Sequence, residues 1–153
     1  MWVGIDPGAT GGVAVLSKDR FEAIPMPTVA GEIWILEIAR LLKELSPRWV
    51  VLEKAQPMRK GGRVQGVTSA FTYGMGFGAL RGMLETLEIP HRLVTPQAWK
   101  KVVLAGTAKD KDAAINFVRR AYPAIDLTPG KKRTPHDGIA DAVCLAEYGR
   151  VTL

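Results

Sequence analysis

The chain has 153 residues, 47% hydrophobic and 24% charged, enough to bury the core of one ordinary domain over residues 1–153 and unlike a disordered or fibrous composition. Its net charge of +6 and pI of about 9.7 fit a polyanionic partner. With no apolar run long enough to span a bilayer, no signal-peptide pattern at Met-Trp-Val-Gly-Ile-Asp, and Cys144 as the only cysteine, a membrane partner, an intramolecular disulfide and a zinc cluster are not expected, and cytoplasmic residence is.

Residues 2–5 read as a buried strand, 11–16 as its antiparallel hairpin partner across Pro-Gly-Ala-Thr-Gly, and 21–24 as a third strand. Ile35, Ile38, Ala39, Leu42 and Leu45 recur at helical spacing, which predicts an amphipathic crossover helix over residues 31–45, followed by Pro47. Residues 49–52 form a short apolar run without alternation, as in a strand covered on both faces and parallel to the first. A loop rich in glycine and basic residues occupies 56–66, before a long helix over residues 67–87. Leu93 and Val94 suggest another short strand, Thr95-Pro96 opens a helix to residue 103, and 109–122 forms a further helix with Ala113, Ala114, Phe117 and Val118 inward. After a connector at 123–133, Thr134 caps a last helix with Pro135 as its first residue, running to residue 148. The order predicts an α/β fold with a mixed sheet flanked by helices on both faces.

Four carboxylates stand out. Asp6, in Val-Gly-Ile-Asp-Pro-Gly, and Glu53, ending Val-Val-Leu-Glu, fall at the carboxyl ends of predicted strands, where sites gather in such sheets. Asp137 and Asp141 lie four residues apart, hence on one face of the last helix. Plainer roles exist: Asp6 as a turn opener, Glu53 in a surface pair with Lys54 or Arg59, Asp137 as a favourable charge at a helix N-terminus. Asp141 resists such an account, because Ala140, Val143, Cys144 and Leu145 around it are small or apolar. Converging carboxylates are costly to bury without a shared hard cation, so metal-dependent chemistry leads. His136 is read either as a helper that tunes the site or assists proton transfer, or as a first-turn histidine with a free ring.

Basic residues bracket these acids: Arg59, Lys60 and Arg63 in the glycine-rich loop, Lys100, Lys101, Lys109 and Lys111 further on, and Lys131, Lys132 and Arg133 before the last helix. Each group could be a solvated face; together they suit phosphates entering from several sides. Phe71, Tyr73 and Phe77 offer a base-stacking ring, with core packing expected for at least two of them. Gly74, Gly78 and Gly82 leave a bare stripe, to pack on the sheet or to form a two-fold dimer interface.

Taken in order, Gly-Ile-Asp-Pro-Gly, Val-Leu-Glu-Lys-Ala-Gln, Val-Thr-Pro-Gln-Ala-Trp-Lys-Lys and His-Asp-Gly-Ile-Ala-Asp-Ala resemble the RuvC-type Holliday junction resolvases over nearly the whole chain. The compact Ala-Glu-Tyr-Gly ending is most similar to bacteriophage members. The resemblance implies a ribonuclease H-like fold, a homodimer, and a Mg2+- or Mn2+-dependent endonuclease of DNA recombination and repair that nicks two opposed strands of a four-way junction, in a bacterial or phage-infected cell. It carries catalytic and metal-binding roles onto Asp6, Glu53, Asp137 and Asp141, and helper roles onto Lys100 or Lys101 and onto Lys109 or Lys111. Cellular members usually space the last two acids by three residues rather than four, which keeps His136 beside Asp137 as a candidate fourth site residue. Two cations roughly 3.5–4 Å apart, bridged by Asp6, would activate a water for in-line attack and stabilise the leaving 3′ oxygen. Three alternatives stand beside this one: a nuclease of the same fold that also cuts forks and flaps, a junction-binding module without catalysis, and a phosphotransferase of the actin-like ATPase and sugar kinase group. The last shares the Gly-Ile-Asp-x-Gly opening but needs far more chain.

Overall fold

The computed structural model describes residues 1–56, 59, 60, 63, 64, 66–107, 110, 112–130 and 133–153. Strands β1 (Trp2–Asp6), β2 (Gly12–Leu16) and β3 (Phe21–Pro25) form an antiparallel meander, joined through the two-residue strands β4 (Thr28–Val29) and β5 (Glu32–Ile33) to helix α1 (Ile35–Leu45). Next come β6 (Trp49–Glu53), β7 (Arg59–Lys60), β8 (Arg63–Val64), α2 (Val67–Thr86), β9 (His91–Val94), α3 (Pro96–Val103), α4 (Ala113–Ala121) and α5 (Asp137–Thr152). The main sheet has the order β3-β2-β1-β6-β9, antiparallel through the meander and parallel from β1 to β6 to β9. It is the mixed sheet the sequence predicts.

Side-chain alternation along the strands divides the interior into two cores. Val3, Ile5, Val13, Val15, Val50 and Leu52 face α1 and α2, packing with Ile38, Leu42, Leu80 and Leu84. Ala14, Leu16 and Val51 face α3, α4 and α5, packing with Trp99, Val118, Ile139 and Leu145. Helices therefore cover both faces, and the apolar run of β6 is buried on both sides, as a central parallel strand requires.

Helix α5 crosses β1 and β2 so closely that glycine is obligatory where they meet. A Cβ at Gly4 would lie 2.0 Å from the Ala142 carbonyl oxygen and 2.4 Å from the Ala146 amide nitrogen. At the other end of the crossing, a Cβ on Gly138 would lie 2.4 Å from the Thr10 carbonyl oxygen. Near the C-terminal end of α5, buried Glu147 accepts a 2.6 Å bond from the Tyr122 hydroxyl and two from Arg150, at 2.6 and 2.8 Å, which ties the end of α4 to α5. Tyr122→Phe removes one donor to a buried carboxylate and is expected to cost about 1–3 kcal/mol, read by urea unfolding.

Several sequence expectations are corrected. The crossover helix starts at Ile35 rather than residue 31, because residues 28–33 pair as β4 and β5. The glycine-rich loop contains the antiparallel pair β7 and β8. The helix expected from residue 109 begins at Ala113. Thr134 and Pro135 do not open the last helix: the His136 N–H bonds to the Leu127 carbonyl at 2.7 Å, holding the chain extended, and its ring then caps α5, which starts at Asp137. Gly74, Gly78 and Gly82 do not pack on the sheet, since a Cβ at any of them would meet nothing within 4 Å among the described residues. Only Phe77 of the three α2 aromatics packs against a core; Phe71 is 66% exposed and Tyr73 is part-buried in a cleft. Among the described residues, no helix is long and apolar enough to cross a membrane.

Candidate active site

The site is built at the carboxyl ends of β1 and β6. Their register runs from Trp2 beside Trp49 to Ile5 beside Leu52, so one further step sets Asp6 next to Glu53 on adjacent strands. Ile5 and Leu52 point to the α1/α2 core, and alternation sends Asp6 and Glu53 towards the opposite, α5 side. Asp141 arrives from α5, one residue before the Ala142 carbonyl that abuts Gly4. The tight glycine crossing is thus what brings the third acid to the strand ends.

The next element completes the arrangement. Glu53 pairs with Val94 at the end of β9, and the Thr95 hydroxyl then caps α3 by accepting from the Ala98 N–H at 3.3 Å, with Pro96 at the first helical position. One turn on, the fully buried Trp99 donates its indole N–H to Glu53 Oε2 at 2.7 Å. The Lys100 ammonium lies 5.1 Å from the centroid of the Trp99 ring.

Asp6, Glu53, Asp141 and Lys100 line one cleft of about 900 Å³, with Thr72, Tyr73 and Gly76 of α2 on its other wall. Its electrostatics are those of crowded acids. Burial first, then the charges of Glu53 and Asp141, push the Asp6 carboxyl up to about 8, against the opposing pull of Lys100. Asp141 is pushed up to about 6, mainly by burial; Lys100 lowers it, while Glu53 and Asp137 raise it. Burial also raises Glu53, opposed by the Trp99 hydrogen bond and by Lys100. The Tyr73 phenol is raised by burial and by the charges of Asp6 and Glu53, so it is held neutral beside the acids.

The predicted site residues divide accordingly. Asp137 lines an adjoining cleft of about 800 Å³ that shares Asp141 and Lys100 with the first and takes in Lys101. Lys100 therefore faces both clefts, and Lys101 the second alone. His136 does not have a free ring: its Nδ1 accepts from the Ile139 N–H at 3.2 Å as the cap of α5. Arg133 is exposed on the segment leading into α5. Arg59, Lys60 and Arg63 lie on the β7 and β8 pair, while Lys109, Lys111, Lys131 and Lys132 fall outside the described residues. Sequence reasoning does not place Tyr73 or Trp99 beside the acids. An aromatic four residues after a Thr-Pro helix opening, directly following a strand, is the signal that points to Trp99.

Among the described residues, no three Asp, Glu, His or Cys side chains form a metal shell as they stand. The donor chemistry nevertheless fits a hard divalent cation, since the carboxylates of Asp6, Glu53 and Asp141, partly withdrawn from water, share one cleft with Lys100 as partial counter-charge.

No family model matches the sequence, and no curated protein does. Solved structures do match. A structure of Thermus thermophilus RuvC in complex with Holliday junction substrate is similar with a TM-score of 0.64 at 19% identity, covering 96% of this chain and 90% of that one. The fowlpox virus resolvase in complex with substrate Holliday junction DNA is similar over 100% of both chains, with a TM-score of 0.59 and 16% identity. The yeast mitochondrial Holliday junction resolvase matches 96% of this chain and 76% of its own, with a TM-score of 0.58 and 14% identity. The five-stranded mixed sheet with helices on both faces is thus a ribonuclease H-like fold, the fold of the RuvC-type Holliday junction resolvases.

Proposed function

We propose that this chain is a Mg2+- or Mn2+-dependent endonuclease that resolves four-way DNA junctions by paired nicks, acting as a homodimer on DNA in the cytoplasm. The observation that carries the proposal is the meeting of Asp6, Glu53, Asp141 and Lys100 in one cleft, within a fold shared with structures solved on Holliday junction DNA. Asp6, Glu53 and Asp141 would hold the cations, with Asp137 entering from the adjoining cleft. When bound, divalent cations supply the Lewis acidity that activates a water for in-line attack and neutralises charge on the leaving 3′ oxygen.

The chain's own residues do the rest. Lys100, facing both clefts, offers a positive charge to the scissile phosphate and lowers the cost of holding Asp6 and Asp141 ionised. In this reading Lys101, Arg133, Arg59, Lys60 and Arg63 would neutralise phosphates away from the cut, which sets position without reading sequence. Neutralising Arg59, Lys60 and Arg63 together is expected to weaken junction binding and to flatten its salt dependence by about 0.9 in log–log slope for each phosphate left un-neutralised. Unchanged affinity across a salt series would remove that segment from the interface.

Paired nicking of opposed strands needs two sites, and each chain carries one. The exposed Gly74, Gly78, Gly82 stripe is the proposed two-fold surface. Gly78→Ala is expected to stabilise the isolated chain by about 0.5–1 kcal/mol, because a glycine inside a helix is disfavoured, and to weaken self-association measured by sedimentation. Undiminished association would move the interface elsewhere.

The deciding experiment is incubation with a labelled immobile four-way junction, a matched duplex and a fork, each with Mg2+, Mn2+ or chelator. Symmetric, metal-dependent nicks in the junction alone are expected. Equal cutting of the fork would make the protein a general branched-DNA nuclease, and binding without cutting would make it a junction-binding module.

A further inference from the structure

The feature with no assigned role is Trp99. It is the largest fully buried side chain among the described residues, yet it sends its one polar atom to an acid that lines the cleft. Its partner, Glu53, comes from a strand 46 residues earlier, so the 2.7 Å bond is a tertiary choice and not a local turn. An indole N–H only donates, and donation to a carboxylate is short and strong. The same ring carries the Lys100 ammonium 5.1 Å from its centroid, a cation–π contact that gives an otherwise exposed and flexible side chain a seat. Trp99 is itself immobilised by its burial, the Thr95 cap, Pro96 at the first helical position and the pairing of Val94 with Glu53.

We infer that Trp99 is the positioning residue of the cleft, fixing Glu53 through its indole N–H and seating Lys100 on its ring, so that one buried side chain orients both an acid and the base beside it. The inference rests on the nuclease reading above. Glu53 has several rotatable bonds and lines the cleft, where unheld it would sample positions useless for a cation. Partners that orient a ligating side chain in this way typically alter metal affinity or activity by about 10- to 100-fold when removed.

Trp99→Phe keeps an aromatic face, on a smaller ring, and deletes the donor. It is expected to raise the Mn2+ dissociation constant, measured calorimetrically without DNA, and the Mn2+ concentration for half-maximal nicking by about 10- to 100-fold. Junction affinity in chelator should stay unchanged, and cleavage should largely recover at saturating Mn2+. Trp99→Leu, which also loses the seat of Lys100, should stay slow even at saturation. In the wild-type protein, the sequentially assigned Trp99 indole 15N–1H resonance should shift on Mg2+ addition and on Glu53→Gln without metal; this measurement decides the matter if Trp99→Phe does not fold.

Wild-type nicking, with Trp99→Phe matching it in Mn2+ affinity and activation, would overturn the positioning role and leave the nuclease reading standing. An indole resonance indifferent to both Mg2+ and Glu53→Gln would do the same. Wild-type protein that neither binds Mn2+ nor nicks a junction would overturn the nuclease reading, and this inference with it.

Discussion

Asp6→Asn is expected to abolish junction nicking while making the metal-free protein more stable at neutral and alkaline pH. The two effects share one cause. Asp6 is withdrawn from water and faces Glu53 and Asp141, which raises its carboxyl to about 8 from the ordinary 3.8. A group whose folded pKa lies above its unfolded value contributes stability in full below the unfolded pKa and loses it as pH rises through the folded one. Metal-free stability should therefore fall between pH ~4 and ~8 in the wild type, and Asn, neutral throughout, escapes that loss. At about 1.4 kcal/mol per pKa unit, and allowing for relaxation of the cleft, the gap between the two proteins should reach about 2–4 kcal/mol by pH ~8. Denaturant unfolding in chelator across this range reads it directly, and the difference between the proteins cancels the titration of every other group that behaves alike in both. The same substitution removes a charged oxygen from the centre of the proposed metal site, and junction nicking should fall by about 10³-fold or more. A metal-free Asp6→Asn protein no more stable than wild type would show that Asp6 is not burdened by its surroundings; retained cleavage would remove it from the mechanism.

The second large effect is at Gly4. Gly4→Ala puts a methyl 2.0 Å from the Ala142 oxygen and 2.4 Å from the Ala146 nitrogen, both backbone atoms, so no side chain can swing aside to admit it. Helix α5 has to move bodily off β1. Overpacking that only side chains absorb costs about 1–3 kcal/mol, and here we expect about 3 kcal/mol or more, seen as a drop in thermal stability by circular dichroism. Where the variant still folds at low temperature, Asp141 has moved with α5, and a displacement of ~1 Å is enough to cost nicking about 100-fold. A Gly4→Ala protein as stable and active as wild type would mean that α5 does not carry Asp141 through this crossing.

The parts of the molecule legible in the sequence are those where one physical pattern dominates a short stretch. The apolar runs at β1 and β6, each ended by an acid, mark both the strands and the placement of Asp6 and Glu53. The apolar surroundings of Asp141 mark an acid that needs a partner, and the cleft supplies its neighbours. Boundaries go astray where a weak local signal competes with a tertiary one. Thr134-Pro135 is a good helix opening, yet the hydrogen bond from His136 to Leu127 delays the helix, and Leu127 lies too far along the chain for local spacing to reveal. Strands β4 and β5 are too short to show a period. Composition favours core packing for at least two of Phe71, Tyr73 and Phe77, but Phe71 is exposed and Tyr73 lines the cleft, a fact of topology rather than of residue type. Gly4 is readable in principle, because an isolated glycine within a strand signals close approach of another backbone.

The crossing of α5 over β1 also bears on how the molecule comes into being. Asp6 belongs to the first strand, Glu53 to the middle of the chain and Asp141 to the last helix, so the packing that gathers them joins segments far apart in sequence. Such long-range packing forms late, after loop closure has been met by local structure. During synthesis the strands and α1 can pair as they emerge, but the β1 and β2 surface stays uncovered, and the acids unassembled, until residue 141 and the turns beyond it are available. Assembly of the cleft is coupled to the arrival of α5, so a chain cut short of it holds Asp6 and Glu53 without Asp141.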